Sequence, residues 1–262
     1  MIKAAFFDID GTLLSFRTHR VSDGTVRAFD RLHRAGVHTF ISSGRPMMLT
    51  PSMPLSFEAY ITMNGALVQT APVATKADSP NILYSNPIDE ADKQAWLDYA
   101  EQNRICTMLF TADAIYLTMP NETGMLLHNQ LDIALPPVST IDEMRRHEAF
   151  QIIAILPPDS DDEVAALLPH CRLPRWHPLF TDIVAAGNSK AAGMDAVCRR
   201  FGIDRADTIA FGDGANDIEM LQWAGTGIAM GNAAQQVKDA ADMVTASVDD
   251  EGIEQAINML LA

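Results

Sequence analysis

The sequence predicts an open α/β fold: a Rossmann-like parallel sheet with helices on both faces, interrupted by a smaller inserted α+β domain. Near both ends of the chain, short apolar segments that run into polar loops alternate with segments of helical periodicity. In the middle this alternation stops, and prolines cluster at the edges of the interval. The length of 262 residues accommodates two ordinary domains.

The first part of the chain predicts strands at Ile2–Phe7, Val37–Ile41 and Ala59–Met63. A helix between the first two strands has Ser22 as its N-cap and ends near Gly36. Asn64-Gly65 is a turn signal that opens a hairpin with Ala66–Gln69.

The last part of the chain repeats the alternation, which favours parallel βαβ units. Its predicted elements are helices at Ser189–Phe201, Ala215–Ala224, Ala233–Ala240 and Gly252–Leu261, and strands at Thr208–Phe211 and Gly227–Met230. The middle predicts helices at Asp89–Asn103, Glu122–Gln130 and Asp161–Leu168, and strands at Cys106–Phe110, Ile115–Met119 and Gln151–Leu156. We therefore expect a discontinuous core of residues 1–82 and 183–262, with residues 83–182 inserted into it.

The charge limits the possible partners. Nineteen Lys and Arg against 34 Asp and Glu give a formal net charge of −15. This field opposes nonspecific binding to nucleic acid or anionic lipid, so neither is an expected partner. An anionic substrate would need a local source of positive charge.

The cysteines and the amino terminus favour a cytoplasmic protein. Cys106, Cys171 and Cys198 are odd in number and widely spaced, which is typical of reduced thiols rather than of a disulfide framework. Asp8 and Asp10 interrupt the apolar amino terminus before an export signal can form.

Polar residues stand where the function of an open α/β sheet is expected, at the carboxyl ends of strands. The four groups are Asp8-Ile9-Asp10-Gly11-Thr12, Ser42-Ser43-Gly44-Arg45, Lys190, and Gly212-Asp213-Gly214-Ala215-Asn216-Asp217. Each alone has an ordinary interpretation as a turn, a helix cap or a solvated charge. Together they supply carboxylates, a hydroxyl beside a glycine, and one cation.

This set of side chains favours phosphoryl chemistry. Clustered carboxylates repel one another unless a cation neutralises them, and oxygen ligands without Cys or His suit Mg²⁺. Mg²⁺ beside a lysine and hydroxyl or amide donors fits a phosphoryl group. A carboxylate can then attack phosphorus and form an acyl phosphate.

The four motifs, in this order, resemble those of the haloacid dehalogenase (HAD) superfamily. The large insertion between the second and third motifs is similar to the family's type-2 cap. The chain looks most like the Cof-type branch, subfamily IIB, of sugar-phosphate phosphatases. The resemblance extends over the whole chain.

The resemblance implies catalytic and metal-binding roles for four aspartates. Asp8 would be the nucleophile and a Mg²⁺ ligand. Asp10 would be the general acid and base, and its backbone carbonyl would also bind Mg²⁺. Asp213 would be a further Mg²⁺ ligand, and Asp217 would support the metal site.

The resemblance also implies a phosphate-binding set. The backbone N–H of Ile9, the Ser43 hydroxyl and the Gly44 amide would contact phosphate oxygens. Lys190 would offset the charge of nucleophile and phosphate, and Asn216 would contact the phosphate. The acid at Asp10 favours a phosphatase or phosphomutase over a dehalogenase, because an alkoxide leaving group needs a proton.

Several residues keep two interpretations. Arg45 lies near the pocket by sequence and could equally be a structural ion-pair partner. Thr12 orients the loop or caps a turn, and we favour a structural role. Asn64-Gly65 matches a family element that helps to shape the pocket. In the insertion, where substrate preference is expected, the candidates for sugar contacts are His128, Arg175, Trp176 and His177, with core or helix-face positions favoured for His128 and Trp176.

The leading functional hypothesis is a Mg²⁺-dependent phosphatase for small phosphorylated metabolites, hexose or pentose phosphates foremost, acting as a monomer or homodimer. The alternatives are a phosphatase for a flavin-pathway intermediate or pyridoxal phosphate, a phosphomutase, and a non-enzymatic phosphometabolite sensor. The Asp8/Asp10 pair argues against the sensor, which need not keep both.

Overall fold

The computed structural model describes residues 1–70, 81–118, 136–175 and 178–262. Within them the chain forms two compact units, one of Met1–Ser85 with Ser189–Ala262 and one of Asn86–Asn188. The predicted helix at Glu122–Gln130 and the candidates His128, Trp176 and His177 lie outside the described residues.

The discontinuous unit is built on one mixed sheet. Its strands are β1 Ala4–Phe7, β2 His38–Ser42, β3 Ala59–Thr62, β4 Leu67–Thr70, β5 Ile82–Ser85, β11 Thr208–Gly212, β12 Thr226–Ala229 and β13 Met243–Val244. They lie in the order β13-β12-β11-β1-β2-β3-β4-β5. The pairs from β13 to β3 are parallel, and β4 and β5 add an antiparallel edge. The predicted α/β fold class is confirmed.

Helices cover both faces of this sheet. Their bounds are α1 Asp23–Arg34, α5 Lys190–Phe201, α6 Ile218–Trp223, α7 Gln235–Ala240 and α8 Gly252–Leu260. Ser22 caps α1 as predicted, since its side chain accepts a hydrogen bond from Thr25 N at 3.1 Å. Side chains of α1 and α8 pack on one face, and those of α5, α6 and α7 pack on the other.

The central strand β1 is buried on both faces, as its continuous apolar sequence predicts. Successive side chains of a strand point to opposite faces. Phe6 stacks on Phe40 at a centroid distance of 4.9 Å, and Phe7 stacks on Phe211 at 5.1 Å. Because both layers hold this strand, the loop that follows it starts from a fixed position.

The inserted unit is α+β. Its strands are β6 Thr107–Phe110, β7 Ile115–Leu117, β8 Gln151–Ala154, β9 Cys171–Arg172 and β10 Thr181–Ala185, in the order β7-β6-β8-β10-β9, and neighbouring strands are antiparallel. Its described helices are α2 Glu90–Gln102, α3 Ile141–Met144 and α4 Asp161–Leu167. Trp96 and Leu97 of α2 are fully buried against this sheet's core.

The first and last residues of the inserted unit are hydrogen-bonded to each other. Asn86 Nδ2 donates to Asn188 Oδ1 at 2.7 Å, and Asn188 Nδ2 donates to the Asn86 carbonyl at 3.0 Å. Arg172 also donates to the Asn188 carbonyl. The chain therefore begins and ends this unit at one point.

Some elements differ from the sequence prediction. The predicted helix Ala215–Ala224 begins as a 3₁₀ turn over Ala215–Asp217, and α6 starts only after it. Strands β5 and β10 were not predicted. Asp182 interrupts the apolar run of β10 and is itself buried, so the segment carries no clean strand pattern. Among the described residues, no helix is long and apolar enough to cross a bilayer.

Two glycines with positive φ offer a test of the predicted turn after β3. Gly65 has φ +92°, and a Cβ there would lie 1.9 Å from the Ser189 carbonyl oxygen, whereas Gly36 has φ +73° and open space around it. We expect Gly36→Ala to lower the free energy of unfolding by about 1–2 kcal/mol, the cost of a left-handed backbone alone. Gly65→Ala should cost clearly more, because overpacking adds about 1–3 kcal/mol.

Urea unfolding of both variants at 25 °C measures the difference. Equal losses of stability would contradict the close approach of the Asn64-Gly65 turn to the start of α5.

Candidate active site

The site forms where the strand order changes direction. From β1 the chain continues to β2 on one side, and later places β11 on the other side. The carboxyl ends of β1 and β11 therefore flank a crevice, which is where open α/β sheets bind ligands. Asp8 follows β1 directly, and Asp213 follows β11 directly.

A buried ammonium group joins two of the carboxylates. Lys190 Nζ lies 2.5 Å from Asp8 Oδ1 and 2.5 Å from Asp217 Oδ1. The Lys190 side chain is 0% exposed. Burial alone would lower the pKa of Lys190, but the carboxylates of Asp217 and Asp8 raise it overall, so the lysine is a permanent cation.

Asp217 also organises the loop after β11. Its Oδ2 accepts hydrogen bonds from the backbone N–H groups of Asp213 at 2.9 Å and Gly214 at 2.8 Å. One carboxylate thus holds both the lysine and the loop that carries Asp213. The supporting role of Asp217 at a metal site stays a prediction.

The Asp213 carboxylate is held from two further segments. Thr12, which is fully buried, donates its hydroxyl to Asp213 Oδ1 at 3.0 Å. Asn232 Nδ2 donates to Asp213 Oδ2 at 3.1 Å and to the Gly11 carbonyl at 2.8 Å. Asn232 was missed in the sequence, although it follows strand β12 as the motif residues follow theirs.

The second and fourth motifs meet at a glycine. A Cβ at Gly44 would lie 3.2 Å from Asn64 Oδ1 and 3.6 Å from Asn216 Nδ2. Asn216 Nδ2 donates to Asn64 Oδ1 at 3.0 Å. Ser43 is buried beside them, and its Oγ accepts a hydrogen bond from Arg45 N at 3.1 Å, which leaves its hydroxyl proton for another acceptor.

Two backbone amides add donors at the same edge of the sheet. Within the described residues, the N–H groups of Ile9 and Gly44 have no hydrogen-bond acceptor. Backbone N–H groups in folded chains rarely stay unpaired, and such groups can bind an anion.

Asp10 faces a different partner. Its carboxylate receives two hydrogen bonds from Arg45, from Nε at 2.7 Å and from Nη2 at 2.8 Å. Its side chain is 37% exposed, in contrast to the buried Asp8.

The buried carboxylates carry excess negative charge. Asp8, Asp213 and Asp217 have ligand atoms within 4.8 Å of one another. With Lys190 they have a formal net charge of −2 (three carboxylates, one ammonium). Burial raises the pKa of Asp8 to about 7 and that of Asp213 to about 6. A divalent cation held by oxygen atoms would balance this charge, so the residues fit Mg²⁺.

A second group that could hold a metal ion lies in the inserted unit and consists of Asp89, Asp92 and His170. Asp89 caps α2 by accepting from Ala91 N at 2.9 Å, and Asp92 accepts from His170 N at 2.8 Å. Helix capping and these hydrogen bonds account for the group. Arg175 of this unit pairs with Asp161 at 2.6 Å.

The haloacid dehalogenase-like hydrolase family model matches residues 5–257. The chain belongs to this family. The resemblance to the haloacid dehalogenase superfamily is therefore confirmed. The prediction of an enzyme of the phosphatase type is confirmed with it.

Three relatives indicate the range of the family around this chain. The putative phosphatase YkrA of Bacillus subtilis is 33% identical, with 98% of this chain and 97% of the relative covered. A solved structure described as a sugar phosphatase of HAD subclass IIB is 34% identical, with a TM-score of 0.83 and 98% of both chains covered. The 5-amino-6-(5-phospho-D-ribitylamino)uracil phosphatase YitU of Bacillus subtilis is 28% identical, with 94% and 93% covered.

The raised pKa values predict that the metal-free protein loses stability as the pH rises. Unfolded carboxyls titrate near 3.8, whereas those of Asp8 and Asp213 titrate near 7 and 6 in the fold. Between about pH 4 and pH 7 the folded chain binds more protons than the unfolded chain, so these groups lower stability as pH rises. Asp213→Asn should therefore gain stability relative to wild type between pH 5 and pH 8 in EDTA.

Thermal unfolding with and without MgCl₂ completes this test. Mg²⁺ should raise the Tm of the wild type more at pH 8 than at pH 5, because protons compete for its ligands. Asp30→Asn, on the exposed face of α1, is the matched control and should behave as wild type. A Mg²⁺ shift of equal size in Asp213→Asn would contradict the assignment of Asp213 as a ligand.

Proposed function

We propose that the chain is a Mg²⁺-dependent phosphatase of small phosphorylated metabolites, which works through an aspartyl phosphate on Asp8. The observation that carries this proposal is the convergence of Asp8, Lys190 and Asp213 on one crevice from separate segments of the chain. Family membership and the phosphatase names of the relatives support the reaction class.

In the first step, Asp8 acts as the nucleophile. Its Oδ1 accepts from Lys190, and the described residues donate no hydrogen bond to Oδ2. Oδ2 attacks phosphorus, the bond from phosphorus to the ester oxygen breaks, and Asp10 gives its proton to that oxygen. The products of this step are the alcohol and the phosphorylated Asp8.

In the second step, water attacks the phosphorus of the aspartyl phosphate. Asp10, now ionised, takes a proton from this water, and the bond from phosphorus to the Asp8 oxygen breaks. Inorganic phosphate leaves, Asp8 is again a carboxylate, and Asp10 is again protonated.

The surrounding donors bind the phosphoryl group. The N–H groups of Ile9 and Gly44, for which the described residues offer no acceptor, would donate to its oxygens. The Ser43 hydroxyl and the Asn216 amide would add two further donors. Lys190 stabilises the negative charge of Asp8 and donates a hydrogen bond to its Oδ1.

The metal would be held by the carboxylates of Asp8 and Asp213 and by the backbone carbonyl of Asp10, with Asp217 in support. When bound, Mg²⁺ would supply positive charge to the phosphoryl oxygens and would balance the excess negative charge of the carboxylate group.

The proposed substrates are hexose or pentose phosphates. The solved relative described as a subclass IIB sugar phosphatase, at 34% identity over nearly the whole chain, supports this class. We assign substrate selection to the inserted unit, because the residues proposed for the chemistry all belong to the other unit. The relative that acts on a ribitylamino-uracil phosphate keeps a flavin-pathway intermediate as the second candidate.

Replacement of the nucleophile is the direct test of the mechanism. Asp8→Asn should lower kcat for p-nitrophenyl phosphate by at least about 10³-fold, because no acyl phosphate can form. Asp30→Asn is the control and should leave kcat unchanged. Turnover of the Asp8→Asn protein near the wild-type rate would overturn the nucleophile assignment.

A panel of phosphorylated metabolites, ranked by kcat/KM in MgCl₂ and in EDTA, tests the substrate class. We expect sugar phosphates to rank first, and EDTA to abolish turnover. A flavin-pathway phosphate in first place would select the second candidate, and formation of an isomer without free phosphate would indicate a mutase. Failure to hydrolyse any ester would favour the sensor.

A further inference from the structure

The contact between Arg45 and Asp10 has no role in the proposed mechanism. The guanidinium donates from Nε to Asp10 Oδ2 at 2.7 Å and from Nη2 to Asp10 Oδ1 at 2.8 Å. Both carboxylate oxygens therefore accept from the guanidinium fork. The described residues offer the Asp10 carboxylate no other donor.

Arg45 is itself anchored at several points. Its backbone N–H donates to Ser43 Oγ at 3.1 Å, and its carbonyl accepts from Met63 N at 3.2 Å. A third guanidinium nitrogen, Nη1, donates to the Leu49 carbonyl at 3.1 Å. The guanidinium of Arg45 thus reaches from a fixed backbone position in the second motif to the side chain of Asp10 in the first motif.

This ion pair contributes little to stability. The side chains of Arg45 and Asp10 are 41% and 37% exposed, and exposed ion pairs contribute at most about 1 kcal/mol. Asp10 also lacks the burial that fixes Asp8 in place. What the fork does determine is the direction of the Asp10 carboxylate, since its two hydrogen bonds hold both oxygens of that group.

We propose that Arg45 is a positioning residue that orients Asp10 for proton transfer to the leaving oxygen. The proposal rests on the proposed function, in which Asp10 is the proton donor. It gives Arg45 no contact with the phosphoryl group, and it acts only through the geometry of Asp10.

The proposal makes a prediction that depends on the leaving group. When the phosphorus–oxygen bond of an alkyl ester breaks, the alkoxide needs a proton from Asp10. A nitrophenolate is stable without that proton. Misdirection of Asp10 should therefore slow the transfer from an alkyl ester and leave the transfer from a nitrophenyl ester nearly unchanged.

The experiment compares kcat/KM, which reports the transfer to Asp8, for a hexose 6-phosphate and for p-nitrophenyl phosphate. Arg45→Gln should lower kcat/KM for the sugar phosphate by about 10–100-fold and for the nitrophenyl ester by less than about 3-fold. Arg45→Lys, which keeps the charge but loses the fork, should give an intermediate ratio. Asp10→Asn should show the same split between esters, and the added Arg45→Gln change should cause no further loss.

The matched control is Arg27→Gln. Arg27 makes the same fork to Glu254, with both hydrogen bonds at 2.7 Å, on the exposed side of the same unit. Its loss should leave the ester ratio at the wild-type value. Tm values of all variants show whether any change in ratio accompanies a change in stability.

The outcomes separate the two hypotheses. If Asp10→Asn splits the esters and Arg45→Gln lowers both equally, Arg45 binds the phosphoryl group and the positioning role is overturned. An unchanged ratio in Arg45→Gln overturns it as well. If the wild type hydrolyses neither ester, or Asp10→Asn shows no split, the proposed mechanism at Asp10 fails and this inference fails with it.

Discussion

The candidate site depends on one buried cation. Lys190 is enclosed at the start of a helix, where the helix dipole disfavours positive charge and burial disfavours any charge. It persists there because Asp8 and Asp217 both contact its ammonium group. Removal of one partner from such a group leaves an uncompensated buried charge, which typically costs about 3–5 kcal/mol. The Lys190 ammonium therefore connects three elements: the carboxyl end of β1, the loop after β11 and the start of α5.

This charge balance also explains why the loop after β11 has a defined shape. Asp217 divides its two oxygens between the lysine and the amides of Asp213 and Gly214. Asp213 in turn is held by Thr12 from the first motif loop. Hydrogen bonds to ionised groups, rather than apolar packing, set the geometry at this edge of the sheet. The apolar layers beneath, with Phe6 and Phe7 on opposite faces, fix the platform from which these loops start.

Much of this could be read from the sequence, because the carboxyl ends of parallel strands meet at one edge. Asp8 and Asp213 directly follow apolar strand segments, so their proximity was predictable without knowing any contact. Asn232 follows the same logic, but a single asparagine after a strand is an ordinary turn signal. The partner of Arg45 could not be decided, since its guanidinium pairs with Asp10, which lies 35 positions earlier in the sequence. Strand β10 was missed because tertiary pairing with β8 outweighs the polar Asp182 within it.

The pair of hydrogen bonds between Asn86 and Asn188 has a consequence for how chains of this architecture can evolve. The inserted unit starts and finishes at two residues that are neighbours in space. For the sheet of the other unit, the connection therefore spans the distance of a short loop, whatever the number of residues between the two asparagines. The entropy of closing a loop grows only with the logarithm of its length. A segment of this kind can be lengthened, shortened or exchanged as a whole while the strand order of the sheet stays the same. Recombination at these two points would give one catalytic scaffold a succession of different insertions.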